Sequence, residues 1–113
     1  MDKVLSMLGL ALRAGRLVSG EFSTEKAVKD GRARLVVVAA DASDNTRKLF
    51  LDKCRSYSVP VRIYADKASL GKALGAEYRA SCALTDEGFA KAVLERLDAL
   101  KADGKENRGD QNI

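Results

Sequence analysis

A chain of 113 residues, 46% hydrophobic and 32% charged, is long enough for one packed core and has the composition of an ordinary globular domain. Its formal net charge of +4 is unevenly placed: residues 1–79 hold 15 Lys and Arg against 9 Asp and Glu, whereas residues 80–113 hold 5 against 7. The absence of His and the wide separation of Cys54 and Cys82 argue against a zinc site and against His-based catalysis, and no apolar run approaches the ~18 residues of a membrane span.

A basic body suits a polyanionic partner, because Lys and Arg contacts to phosphate dominate nucleic-acid affinity, although plain solubility accounts for the same surplus. The two thiols read as small core residues that need no disulfide, which fits a reducing compartment. Asp2 and the helical spacing of the first residues argue against a signal peptide. The expected location is the cytoplasm, away from any membrane.

In chain order, Val4, Leu5, Leu8, Ala11 and Leu12 recur at three and four, which predicts a helix over 3–14 with Gly15 as its stop. Residues 16–19 suit a short edge strand, followed by Ser19 and Gly20 as turn or cap residues. The next helix runs from Glu21 to about Asp30. At 100° per residue, Thr24, Ala27, Val28 and Gly31 form its core stripe, while Phe22, Lys26 and Lys29 gather on the opposite side. Arg34-Leu-Val-Val-Val-Ala-Ala40 follows. Its continuous β-rich run, too short for a helix and not alternating, is the pattern of a strand buried on both faces. Ser43, Asp44 or Asn45 caps a helix to about Tyr57, with Leu49, Phe50, Cys54 and Tyr57 as its apolar stripe. Pro60 opens an alternating, half-buried strand over 61–64. A short helix over 66–74 ends at Gly75, and small residues over 79–85 form a last strand. Asp86 caps a final helix in which Phe89, Ala90, Val93, Leu94, Leu97 and Leu100 face the core. From Lys101 the polar composition predicts a disordered tail, giving one domain over 1–100 and a tail over 101–113. Arg108-Gly109-Asp110 in that tail matches an adhesion tripeptide by chance.

These elements imply an α/β fold, a three-layer α/β/α sandwich around a central mixed sheet of about four strands. No Gly-rich dinucleotide or P-loop motif is present. Asp41 and Asp44 lie just past the buried strand, where α/β enzymes place carboxylates, but turn and cap roles outweigh that reading. The start of the second helix is better placed to bind. Its free N–H groups face a phosphate, Phe22 offers a stacking surface, and Lys26 and Lys29 follow along one face. A hydrophobic staple, with Phe22 folded back onto the helix, is the competing reading.

Four blocks carry a resemblance. They are Ser19-Gly-Glu-Phe-Ser-Thr-Glu-Lys-Ala-Val-Lys-Asp-Gly31, Ala33-Arg-Leu-Val-Val-Val-Ala-Ala-Asp-Ala42, Cys54 ahead of Val59-Pro60, and Leu70-Gly-Lys-Ala-Leu-Gly75. In this order they resemble the L7Ae/L30e superfamily of ribosomal proteins, small α/β/α proteins that bind kink-turn RNA. The likeness spans roughly Leu5 to Phe89 and is nearest to the bacterial YlxQ-type branch. The family reads the sheared G·A pairs of the kink with Gly-x-Asn-Glu-x-x-Lys at the start of the second helix. Gly20 and Lys26 match that motif here, but Phe22 stands at the Asn position and Ser23 at the Glu position. Phe22 cannot hydrogen-bond a guanine edge, so the resemblance implies an altered G·A readout. Lys67 matches a family basic residue, and Glu77, Tyr78 and Arg79 lie on the loop that packs against the flipped base of the bulge.

The expected function is therefore non-catalytic RNA binding in association with the ribosome. The candidate RNA-binding residues are Gly20, Glu21, Phe22, Ser23, Lys26, Lys29, Ser43, Arg47, Lys67, Glu77, Tyr78 and Arg79. The expected partners are structured, kink-turn-like RNA, with ribosomal RNA a candidate, and ribosomal proteins. The chain is expected to be a monomer with no cofactor and no metal. The alternatives are a protein–protein module on the ribosome or another RNA machine that has lost kink-turn binding, and a small hydrolase using Asp41.

Overall fold

The computed structural model describes residues 2–102. The order along the chain is α1 (Lys3–Arg13), β1 (Leu17–Ser19), α2 (Glu21–Lys29), β2 (Leu35–Val38), α3 (Asp44–Ser56), β3 (Val61–Ile63), α4 (Lys67–Ala73), β4 (Ser81–Leu84) and α5 (Glu87–Ala102). Among the described residues no helix is long and apolar enough to cross a membrane. Helix α5 carries Lys101 and Ala102, and the rest of the tail expected to be disordered, 103–113, lies outside the described residues.

The four strands form one sheet in the order β1-β4-β2-β3. β4 runs antiparallel to both β1 and β2, and β3 pairs parallel with β2, so the sheet is mixed. β2 and β4 occupy the centre and are buried along their whole length. Alternation explains the unbroken apolar run of β2. Leu35, Val37 and Ala39 join the core under α1, α4 and α5, while Val36 and Val38 join the core under α2 and α3. The three layers expected from the sequence are present.

Side-chain caps fix the helix starts. Asp2 accepts the Leu5 N–H at 2.7 Å, Ser43 accepts that of Thr46 at 3.1 Å, Asp66 accepts that of Ser69 at 2.7 Å and Asp86 accepts that of Phe89 at 2.9 Å. Helices α1 and α4 end in left-handed glycines, Gly15 and Gly75. Both cysteines are buried, and burial pushes the Cys54 thiol up to about 11 and the Cys82 thiol up to about 12.

Three expectations are corrected. Gly31 is exposed with a φ of 78°, because α2 stops before it, so it caps the turn rather than extending the core stripe. Tyr57 is 47% exposed, because α3 ends at Ser56 and the chain turns through Ser58 at a φ of 58°. The strand at 61–63 is evenly half-buried rather than alternating, as suits an edge strand.

Gly71 of α4 lies directly against the loop before β4. A Cβ there would lie 2.7 Å from the Glu77 carbonyl oxygen and 2.7 Å from the Tyr78 Cα. The hydrogen left by glycine thus lets the loop before β4 rest directly on α4.

Two substitutions test this packing. Val37 is fully buried in the central strand, so Val37→Asp places an unpartnered charge in the core. The cost of several kcal/mol is a large share of the ~5–15 kcal/mol that holds a domain folded, and insoluble or unfolded protein is expected. Wild-type thermal stability would show that the sheet is misplaced. For Gly71→Ala, alanine is the better helix former by about 1 kcal/mol, yet the clash with loop backbone should win, with a net loss of ~1–3 kcal/mol in chemical denaturation. A stabilised variant would show that the loop does not rest there.

Candidate nucleic-acid interface

The register of the sheet brings the ends of β1, β2 and β3 to the same edge as the start of β4, with Ser19 opposite Cys82, and Val38 opposite both Ser81 and Ile63. Four connections meet there: β1–α2, β2–α3, β3–α4 and α4–β4. Ten of the twelve candidate residues lie on these connections or on the first turns of the helices that follow. Lys26 and Lys29 lie further along α2.

Gly20 makes the turn from β1 into α2 with φ 94° and ψ 154°, a conformation in which a Cβ would be strained. Its N–H donates to the Ser81 carbonyl at 3.0 Å, and its carbonyl accepts the Thr24 N–H at 2.9 Å. Among the described residues no side chain caps this helix end, so the N–H groups of Glu21, Phe22 and Ser23 form its positively polarised terminus. One turn in, the Ser81 hydroxyl donates to the buried Thr24 hydroxyl at 3.4 Å, seating α2 on the small residues of β4.

Polar contacts lock the neighbouring loops together. The Thr46 hydroxyl donates to Glu21 at 3.4 Å and receives the Ser43 hydroxyl at 3.1 Å, which joins the starts of α2 and α3. Arg47 points inward. Its guanidinium donates to the carbonyls of Ala40 at 2.9 Å and Ala42 at 3.0 Å and pairs with Asp44, so it braces the β2–α3 loop. Asp41 accepts the Lys67 N–H at 2.8 Å, and the Lys67 carbonyl accepts the Arg79 N–H at 3.1 Å. The Lys67 backbone is therefore held on both sides, while no ion pair holds its ammonium among the described residues. Arg79 Nε donates to the Ser19 hydroxyl at 2.8 Å, and its Nη1 donates to the Tyr78 carbonyl at 3.2 Å. Next to this network Ala65 holds a φ of 64°, uncommon without glycine, and its carbonyl accepts the Ala40 N–H at 2.8 Å. Hydrogen bonds from Ser69 hold the Asp66 carboxyl below the usual carboxylate range.

Two aromatic side chains stand out from this scaffold: Phe22 is 79% exposed and Tyr78 is 58% exposed. The exposure of Phe22 excludes the staple, in which the ring would be covered. Lys26 pairs with Asp30 at 3.0 Å, whereas Lys29 has no ion-pair partner among the described residues. Glu77 is exposed beside Tyr78.

Sequence reading missed Ser19, Asp41 and Thr46 as parts of the site's frame. Each is a short polar residue in a connection, and only the fold brings it to its partner 25 to 60 residues away. Asp41 and Asp44, the two carboxylates weighed for catalysis, are both engaged in bracing the loops.

Comparison with known proteins identifies the family and the fold. Residues 2–94 match the profile of the ribosomal protein L7Ae/L30e/S12e/Gadd45 family. The chain is 45% identical over 92 residues to a protein of Bacillus subtilis (strain 168) named RNA-binding protein YlxQ, covering 81% of this chain and 92% of that one. It is 36% identical over 97 residues to the protein of the same name from Enterococcus faecium, covering 86% and 93%. Among solved structures, a Bacillus halodurans protein of unknown function superposes with a TM-score of 0.83 at 40% identity, covering 87% of this chain and 99% of that one. The Giardia lamblia 15.5kD RNA binding protein shares the fold, with a TM-score of 0.73 at 21% identity over 88% and 92% of the two chains. This chain is a member of the ribosomal protein L7Ae/L30e/S12e/Gadd45 family.

Proposed function

We propose that this protein binds structured RNA through the loop end of its sheet, without catalysis, as a cytoplasmic component associated with the ribosome. The observation that carries this reading is the joining of the exposed Tyr78, the ammonium of Lys67, which has no ion-pair partner among the described residues, and the guanidinium of Arg79 in one backbone-locked frame with the start of α2. Cations on a rigid frame place phosphates, and aromatic faces accept unstacked bases. The names of the B. subtilis and E. faecium relatives support RNA as the partner class. A kinked RNA, of the sort suggested by the resemblance of the α2 motif, fits a frame in which several loops converge on one point. Gly20 and Lys26 keep their places in that motif, but Phe22 and Ser23 do not supply the amide and carboxylate that would read G·A pairs. Phosphate contact and stacking therefore carry more of the affinity than hydrogen bonding to base edges. Arg47 contributes by holding the loop that bears Ser43 rather than by meeting RNA itself.

The second reading, a protein–protein module on the ribosome or another RNA machine, is favoured by one observation: Phe22 and Tyr78 are apolar or half-apolar surfaces that a partner protein could cover.

Salt separates the two. RNA affinity should fall steeply between low and moderate salt, with a slope on logarithmic axes of about −0.7 to −0.9 per phosphate contacted. Lys67→Ala should weaken binding and reduce that slope by about one unit. Affinity independent of salt, or a Lys67→Ala variant with the wild-type slope, would contradict the electrostatic account.

A further inference from the structure

The outer face of α2 carries a groove beside the loop-end frame. Phe22, Glu25, Lys26, Lys29 and Asp30 line an open depression of about 290 Å³. Their spacing puts Phe22, Glu25, Lys26 and Lys29 on one ridge of the helix. Within it the charges are unequal in availability. Lys26 is held by Asp30 at 3.0 Å, and Glu25 lies 3.8 Å from Lys53 of α3. Lys29 is left as the groove's cation without an ion-pair partner among the described residues.

We propose that this groove holds one unpaired nucleotide, with its base stacked on the Phe22 ring and a phosphate at the Lys29 ammonium, an inference that rests on the RNA reading above. Three observations fix the arrangement. First, the ring is the most exposed large hydrophobic side chain described, and the groove places no second apolar side chain beside it. A protein contact of any strength needs an apolar centre around its anchor, whereas a base needs only one flat face. Second, seven residues of helix separate the Phe22 and Lys29 backbones by about 10 Å, and helical side chains lean toward the N-terminus, so the lysine reaches back toward the ring over a span that a nucleotide and its neighbouring phosphate bridge. Third, the two carboxylates that line the groove are each engaged by other cations, Glu25 at 3.8 Å from Lys53 and Asp30 at 3.0 Å from Lys26, which leaves the Lys29 ammonium to a phosphate.

The test uses the intact protein and two RNAs with the same stem, one with a three-nucleotide bulge carrying 2-aminopurine and one fully paired. The wild type should prefer the bulged RNA, and 2-aminopurine fluorescence should change on binding. Phe22→Ala should lose about 5- to 150-fold in affinity for the bulged RNA and little for the paired one. Phe22→Trp should retain affinity and Phe22→Leu should lose it, because a π face rather than apolar bulk is required. Lys29→Ala should lower the salt slope by about one unit, and Lys29→Arg should restore it. If Phe22→Ala or Phe22→Leu binds the bulged RNA like the wild type while Lys67→Ala still weakens it, the inference falls and the RNA reading stands, and the ring passes to a protein contact. If the wild type binds neither RNA, both fall.

Discussion

The first residue of β4 holds the loop end of the molecule together. The Ser81 carbonyl accepts the Gly20 N–H, the Ser81 hydroxyl meets the buried Thr24 hydroxyl, and the preceding Ala80 carbonyl accepts the Ala39 N–H at 2.9 Å. The start of α2 and the end of β2 are thus both hung on the entrance to one central strand. Because β4 lies between β1 and β2, buried on both faces, this anchor cannot shift without breaking two ladders. The positions of Phe22 on α2 and of Tyr78 just before β4 follow from it.

The rigidity of the frame decides which charges are available. Arg47, a contact candidate on sequence grounds, and Asp41 and Asp44, weighed there for catalysis, lie at the loop end, and each is engaged in holding a loop. What remains for a partner among the described residues includes the Lys67 and Lys29 ammoniums, the part of the Arg79 guanidinium not bonded to Ser19 and Tyr78, and two exposed aromatic faces. Preorganisation of this kind lowers the ordering cost of binding, because the loops that present these groups are already fixed by hydrogen bonds. The phenyl ring of Phe22, 79% exposed, contributes little packing to the fold.

Much of this was legible in the chain because the signals were local. The unbroken Leu35–Val38 run marked a strand covered on both faces, Asp86 marked one helix start and the stretch Ser43 to Asn45 another, and a 100° rotation per residue put Phe22 opposite Thr24, Ala27 and Val28. The less legible parts depended on distance or on how an element ends. The insertion of β4 between β1 and β2 is a pairing over more than 40 residues with no local mark. Tyr57 continued an apolar stripe by spacing, but the helix had already stopped before Ser58, a residue that does not announce a left-handed turn. The inward turn of Arg47 depends on two carbonyls of a loop whose path the sequence does not specify.

The most direct measurement is a binding titration against a kink-turn RNA and the same RNA with its G·A pairs disrupted. A frame that holds phosphates with Lys67 and Arg79 but has Phe22 and Ser23 at the G·A-reading positions should bind both RNAs with modest discrimination, well below the ~1–3 kcal/mol of a lost base-edge contact. Failure to bind either RNA would contradict RNA recognition by this frame, and full discrimination between them would show that the G·A readout is intact despite Phe22 and Ser23.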